Sequence, residues 1–376
     1  MSTEAIAQTI RESGAARTSL RIAGRSHWLA AGRPVKADRA LTVGADTGVV
    51  SYTPGDLTLT ARAGTSLAEI EHATAEHAQW LPLDPYGDPD GTIGATIATA
   101  SAGPLATAFG TPRDLLLGIE FVTGRGEIVR AGGKVVKNVA GFDLTRLLTG
   151  SWGTLGVVTE ATVRLYARPR SDRTLAMPMG AGEREIADFL DRLGAAPIAP
   201  FALEVLSGTV ASALGLGAQP ACLVRLGGNS AAVDSQLIAL SRVGRTDEME
   251  SPVWESLRQL EGNADFVIRL SGLPAQLRSA AGTMVSDSIP GVYTSINIAR
   301  GVVRIAVTRS TPDSDTDITA AGLSLDGPVQ GSFVFERLPA EAWKSVSPSV
   351  VSDPLSQGVK RAYDPFNVLN PGILGD

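Results

Sequence analysis

Two glycine-rich stretches hold the residues best placed for chemistry on a bound anion. The first, GGKVVKNVAGFDLTRLLTGSWGTLGVVTE (132–160), opens on Gly132-Gly133-Lys134, the ending of a nucleotide P-loop. That loop needs a glycine five residues before its last one, and a Ser or Thr after the lysine to hold magnesium. Ile128 and Val135 stand at those positions, so ATP or GTP binding by this route is excluded. GSWGTLG (150–156) runs G-x-x-G-x-x-G into a β-branched stretch. A dinucleotide fingerprint is G-x-G-x-x-G opening a helix, so nothing here supports NAD(P).

The second stretch, YGDPDGTIGATIATASAGP (86–104), gathers Gly, Ala, Ser and Thr in an otherwise apolar region. Small residues let backbone amides approach a ligand closely, and successive N–H groups form an anion-binding nest without any lysine. Gly91, Gly94 and Gly103, with Thr99 and Ser101, are spaced to cradle a pyrophosphate in this way. A small-residue helix packed tightly on a neighbour fits the same composition, and the segment alone does not choose.

Side chains for acid–base or metal chemistry are scarce. His27, His72 and His77 are the only histidines, and the latter two fall on a solvated face of an amphipathic segment, SLAEIEHATAEHAQW. No imidazole follows residue 77 to act as base or ligand. Cys222 stands alone, which excludes an intrachain disulfide, a Cys-rich zinc site and a Cys-ligated iron–sulfur cluster within this chain.

Short strands must position these groups. LRIAG (20–24), VVSYTP (49–54) and LTLTARAG (57–64) read as strands bounded by turn residues. A helix is expected over 66–79, with Ser66 and Glu69 at capping-box spacing. LLLGIEFVTGRGEIVRAGG (115–133) reads as a hairpin turning at Gly124-Arg125-Gly126, GFDLTRLLTG (141–150) as a helix, and GVVTEATVRLYARP (156–169) as a strand that Pro169 stops. From 174 to 335 the strands FALEVL, ACLVRL, DFVIRL, YTSINI, VVRIAV and SFVFER alternate with helical stretches such as AAVDSQLIALSRVG.

A chain of 376 residues with 44% apolar and 19% charged residues has material for two cores. Its net charge of −6 argues against nucleic acid, which asks for a basic face. No run of about eighteen apolar residues spans a bilayer, and MSTEAIAQTIRESG lacks the apolar core of a secretory leader. A cytoplasmic protein is expected.

Taken in order, LRIAGRS, LTLTARAGTSLAEI, LPLDP, GTIGATIATASAGP, GTPRDLLLGIEFVTGRGEIVRAGG, KVVKNVAGFDLTRLLTGSWGTLGVVTEATVRLYARP and AYDPFNVLNPG resemble the FAD-binding family of vanillyl-alcohol oxidase and p-cresol methylhydroxylase (PCMH) type. Within it, the chain is similar to the E subunits of bacterial glycolate oxidases. The resemblance covers residues 18–170 and the last twenty, and is loose between. It implies an α+β fold: a two-lobed PCMH-type FAD-binding domain over 1–171, an α+β cap domain over 172–335, and a segment 336–376 returning to the first.

It also implies site residues. Arg21, Gly24, Arg25 and Ser26 would meet the pyrophosphate, and Gly91, Thr92, Gly94, Thr99, Ser101 and Gly103 would line the ribityl and diphosphate. Gly110 and Asp114 would lie near the flavin ring, Gly153, Gly156 and Val158 at the adenosine end, and Asn370 beside the ring. Plainer roles stand beside these: Asp114 caps a turn, Asn370 holds an Asx turn, the glycines serve packing. The loop RIAGRSHW departs from the family in carrying one glycine, with Arg25 offering a charge-assisted contact instead. His27 is displaced from the slot in which some relatives tether flavin covalently, so non-covalent FAD is expected.

A hydroxy-acid oxidase needs a base at the α-hydroxyl and a cation for the carboxylate. Arg225, Arg269, Arg300 and Arg304 are candidate anchors, although most sit in strand-like runs where a surface salt bridge fits as well. No base is evident, which suggests a subunit auxiliary to a related catalytic FAD subunit and an iron–sulfur subunit, in a complex oxidising a 2-hydroxy acid to a 2-oxo acid. Such a complex could sit at the inner membrane face through a partner. Lys134, Lys137 and Phe142 are candidate contacts. The alternative is a self-sufficient FAD-dependent hydroxy-acid or alcohol dehydrogenase with a non-histidine base.

Overall fold

The computed structural model describes residues 1–375 except 29, 89, 134–142, 287–288, 309–328 and 347–352. Lys134, Lys137 and Phe142 therefore lie outside the described residues. Two compact units emerge: residues 1–103, 109–168 and 340–376 form one, and residues 104–108 with 169–339 the other.

The first unit opens on α1 (Thr3–Ala16), which the turn-based reading passes over. Its buried stripe of Ile6, Ala7 and Ile10 packs with Leu20, Leu41, Val122, Val157, Val368 and Leu369. Strands β1 (Leu20–Ala23) and β2 (Arg39–Thr42) pair in parallel. Then come β3 (Val49–Thr53), β4 (Thr58–Arg62), α2 (Leu67–Ala75), β5 (Gln79–Trp80) and α3 (Ile93–Thr99). The expected helix over 66–79 ends early because Gln79 and Trp80 pair with β9 (Tyr166–Ala167). Its start is as expected: Ser66 N–H donates to Glu69 Oε2 at 2.6 Å and Glu69 N–H to Ser66 Oγ at 3.1 Å.

Short α4 (Ala106–Phe109) and α5 (Pro112–Leu115) lead to the hairpin β6 (Leu116–Val122) and β7 (Ile128–Gly132), then α6 (Leu144–Leu148) and β8 (Val157–Arg164). A five-stranded sheet runs β3-β4-β8-β6-β7, antiparallel at every join. Ile93 and Ile97 of α3 enter one core with Leu59, Ala61, Phe121, Ala161 and Val163 of this sheet.

Beneath that sheet Glu120, only 4% exposed, accepts from Thr3 Oγ1 (2.9 Å), Thr159 Oγ1 (2.8 Å) and Arg130 Nε (2.7 Å). Burial works to raise its pKa, but Thr159, Thr3 and Arg130 outweigh it and hold the carboxyl below its ordinary value. A depressed folded-state pKa gives stability that is present above the unfolded value and lost as pH falls through the folded one. Glu120→Gln should be less stable than wild type at pH 7, and the gap should close below about pH 4. Urea midpoints against pH check this; a gap constant to pH 3 contradicts it.

The second unit is built on one eight-stranded sheet. Its strands are β10 (Ser171–Pro178), β11 (Ala202–Leu206), β12 (Ala221–Gly228), β13 (Asp247–Met249), β14 (Phe266–Gly272), β15 (Val292–Asn297), β16 (Val302–Val307) and β17 (Gly331–Arg337). They lie in the order β13-β10-β12-β11-β15-β16-β14-β17, all antiparallel. Helices α7 (Glu183–Ala195), α8 (Gly208–Ala213), α9 (Ser230–Val243), α10 (Pro252–Gln259) and α11 (Pro274–Ser286) intervene. The α+β class holds throughout.

The chain then rejoins the first unit. After α12 (Pro354–Tyr363), Leu20 N–H donates to Val368 O at 2.7 Å and Asn370 N–H to Leu20 O at 2.9 Å, placing the tail beside β1. Asp364, 2% exposed, accepts from Val368 and Leu369 N–H and from Lys360 Nζ, which also donates to Thr154 O.

Candidate functional site

Inside the first unit a cleft opens where six segments meet, with about 1100 Å3 of empty space counting its open mouth. One wall is the end of β1 with its loop: Arg21, Gly24, Arg25, Ser26, His27, Trp28 and Ala31. A second is the loop before α3 and the helix itself: Pro85, Tyr86, Asp88, Gly91, Thr92, Gly94, Thr99 and Ser101. Trp152, Gly153, Gly156, Val157 and Val158 supply a third, Asn370 and Ile373 of the tail a fourth, and Val43 and Ala63 the floor.

Apolar surface, rather than charge, dominates the lining. Ser26 has φ +67°, which folds the loop after Gly24 into a concave run of amides. The N–H groups of Gly24, Arg25 and Ser26 find no acceptor among the described residues. Neither does that of buried Gly153, where φ is +71° and an added Cβ would lie 2.9 Å from Asn370 Nδ2. An orphaned buried N–H at a cleft wall is costly unless a ligand accepts it.

Asn370 is a clamp. Its Nδ2 donates to Trp152 O at 2.8 Å, and its Oδ1 accepts Ile22 N–H at 2.7 Å. With both ends of the amide spent on protein, it shapes the wall instead of holding an Asx turn before Pro371.

Gly94 corrects the amide-cradle reading. Its N–H goes to Ala63 O at 2.9 Å, and a Cβ would lie 2.6 Å from Ala63 Cβ. Both readings of the small-residue stretch are therefore met: the helix packs tightly on β4's end, and its other face lines the cleft. Arg25 needs a correction too, since its guanidinium is held by Glu69 at 2.9 Å, with Asp90 at 3.8 Å. Across the same mouth His27 Nδ1 lies 3.4 Å from Asp88 Oδ1. Burial pushes the half-buried Arg21 guanidinium down from its ordinary value, the expected cost of a cation in an apolar wall.

Gly103, Gly110 and Asp114 do not line the cleft. Gly103 is pressed on Asp84, where a Cβ would come within 1.9 Å of the carbonyl oxygen. Asp114 turns back to accept from Thr111 N–H and Oγ1, both at 2.8 Å, capping α5. Burial opposes ionisation there, but the two Thr111 bonds hold the carboxyl below its usual range. Gly110, φ +85°, packs on that same side chain.

The candidate carboxylate anchors are largely committed. Arg225 makes a two-point pair with Asp172 (2.9 and 2.6 Å), and Arg269 pairs with Glu336 at 3.0 Å. Arg304 is buried between Glu261 and Glu336, not on the surface. Arg300 gives its backbone N–H to Asn297 Oδ1. Cys222 is buried in β12, and burial, then the Glu204 charge, push its thiol far above the ordinary value, so it is no nucleophile.

Sequence reasoning missed the aromatic and aliphatic lining: Trp28, Tyr86, Trp152 and Ile373. Trp28 had a signal in neighbouring Gly87, since a Cβ there would fall 1.9 Å from its indole nitrogen. No local pattern marks Ile373, which arrives from the far end of the chain.

This is a flavin-binding architecture: residues 1–132 match the family described as FAD binding domain. Its fold is similar to that of p-cresol methylhydroxylase-type flavoproteins. It is 39% identical to glycolate oxidase subunit GlcE of Escherichia coli over 190 residues, half of this chain and 54% of that relative. It is 27% identical to glycolate oxidase subunit GlcD of Bacillus subtilis over 360 residues, 85% of this chain and 75% of that one. Among solved structures, p-cresol methylhydroxylase with substrate bound aligns over the whole chain and 87% of its own, at a TM-score of 0.69 and 15% identity, a likeness of fold.

The residues present fit FAD. A long cleft with apolar walls suits an extended cofactor, and the open N–H groups of Gly24, Arg25, Ser26 and Gly153 suit its diphosphate oxygens.

Proposed function

We propose that this chain is a non-covalent FAD-binding subunit of a glycolate oxidase-type complex, auxiliary to a related catalytic flavoprotein subunit and an iron–sulfur subunit. The observation that carries it is the within-unit cleft with unclaimed main-chain donors, in a chain related to GlcE. Bound FAD supplies a hydride acceptor. The chain's own part is to hold and shield it. Gly24–Ser26 and Gly153 would donate to phosphate oxygens, and Trp28, Tyr86 and Trp152 would keep water from the walls. The auxiliary role draws support from the scarcity of imidazoles and from the pairing of Arg225, Arg269 and Arg304 with carboxylates. No helix among the described residues is long and apolar enough to cross a membrane, so membrane association would run through a partner.

The long relationship to GlcD favours a second reading, a self-sufficient hydroxy-acid dehydrogenase with a non-histidine base. Purified chain, reconstituted with FAD and given glycolate or D-lactate with an artificial acceptor, separates the two. The auxiliary reading expects a yellow protein turning over well below about one per second alone, with activity appearing on co-expression with a catalytic flavoprotein subunit. Ordinary turnover by the isolated chain establishes the second reading instead.

A further inference from the structure

The loop that presents the open amides has little support of its own. Among its described residues from Gly24 to Arg33 it pairs with no strand, and the internal backbone bond they make is Ala31 N–H to Trp28 O at 3.0 Å. Cross-loop support comes from exposed pairs, Arg25 with Glu69 and His27 with Asp88, which contribute little each. A ten-residue loop so held would sample many conformations, and a nest works only in one.

The far end of the loop, however, is tied to the C-terminal segment. Arg33 Nη1 donates to Trp343 O at 3.1 Å and Nη2 to Val346 O at 2.7 Å. Its guanidinium lies 5.0 Å over the Trp343 ring. The Trp343 carbonyl also accepts Val346 N–H at 3.4 Å, and Val346 follows the 3-10 turn Ala342–Ser345, so the cation sits at the negative, C-terminal end of that turn. Arg33 N–H donates to Ile373 O at 3.1 Å. Beside it, Gly32 at φ +77° leaves room for Ile373 and Trp152, where a Cβ would lie 2.7 and 3.2 Å from them. Ile373 and Trp152 themselves line the cleft.

We propose that Arg33 is a positioning residue: by clamping the 342–346 turn it makes the C-terminal segment a strap that holds loop 24–33 in its anion-binding shape, so cofactor affinity depends on a side chain outside the cleft. This rests on the FAD-binding reading above. It goes further in assigning affinity to a distant contact: if the competent loop shape becomes a minor state, apparent affinity falls by its population. A Lys in place of Arg offers one point charge where two carbonyls and a ring are engaged, and should restore only part of the effect.

The test uses the full chain as wild type, Arg33→Met and Arg33→Lys. FAD affinity is read by flavin fluorescence, apoprotein stability by urea unfolding, and amide exchange over 24–28 without cofactor. Expected for Arg33→Met are FAD binding weaker by about tenfold or more, faster exchange at 24–28 in the apoprotein, and an apoprotein free-energy loss smaller than the loss in binding. Arg33→Lys should fall between and keeps the comparison open if the Met variant does not fold. Unchanged affinity, unchanged exchange, or a stability loss as large as the binding loss would each overturn the proposal. Failure of wild type to bind FAD would sink the FAD reading itself, whereas wild-type binding with an indifferent Arg33→Met sinks the strap alone.

Discussion

Arg304→Met should destabilise the second unit by about 3–5 kcal/mol, the cost of stranding charge in a protein interior. Arg304 is 7% exposed; it grips Glu261 with two bonds of 2.6 Å and Glu336 with bonds of 2.7 and 3.4 Å. Arg269 shares Glu336, while Arg337 donates to the carbonyls of Glu261, Gly262 and Ala264. Burial already raises the Glu261 pKa in spite of Arg304; Glu336 stays below its ordinary value because Arg304 and then Arg269 overcome the same burial. Without Arg304 both carboxyls rise, Glu261 most. An acid raised above its unfolded pKa adds stability as pH falls, so the variant's deficit should narrow from pH 7 toward pH 5. Adding Glu261→Leu removes the stranded carboxylate and leaves Glu336 with Arg269, so the double variant should recover much of the loss. Urea unfolding of the three proteins at both pH values checks this. A single variant within about 1 kcal/mol of wild type would show the network to be dispensable.

Asn370→Ala should cost about 2–4 kcal/mol and weaken FAD binding by about a hundredfold. The substitution leaves Ile22 N–H and Trp152 O without their partners, each worth about 1–3 kcal/mol when buried. It also places alanine at φ +44°, where asparagine is tolerated better. Asn370→Gly removes that backbone strain while still losing both bonds, so the difference between the two variants isolates the strain. Because the carbonyl of Trp152 precedes Gly153, release of the clamp would also loosen the open N–H of Gly153 at the cleft wall. Thermal unfolding and FAD titration measure the two effects separately, and binding within threefold of wild type would contradict the clamp's role.

Much of the site was legible because backbone geometry leaves a compositional trace. Gly24, Gly91, Gly94, Gly153 and Gly156 line the cleft, and the capping box at Ser66–Glu69 forms as its spacing requires. What misled was the assumption that a small residue at a ligand site offers its amide. Gly94 offers its amide to Ala63, and Gly103 serves Asp84, since close packing and ligand approach ask for the same missing Cβ. Arg25 reads as a free charge in one dimension and is paired in three, while Asp114 takes the plainer turn-capping role. Helix α1 went unread because its apolar stripe of Ile6, Ala7 and Ile10 is short and turn signals flank it on one side only.

Local sequence alone excluded P-loop and dinucleotide sites, because each depends on residue types at short, fixed spacings; the α+β class and the flavin cofactor came from the resemblance of whole motifs taken in order. Tertiary structure alone decided which donors stay open and which cations are neutralised. Asn370 reaches Ile22 across most of the chain, Arg33 reaches Val346, and Arg304 reaches Glu261. A hydrogen bond's partner is set by where the fold brings two segments together, and no spacing within either segment encodes it.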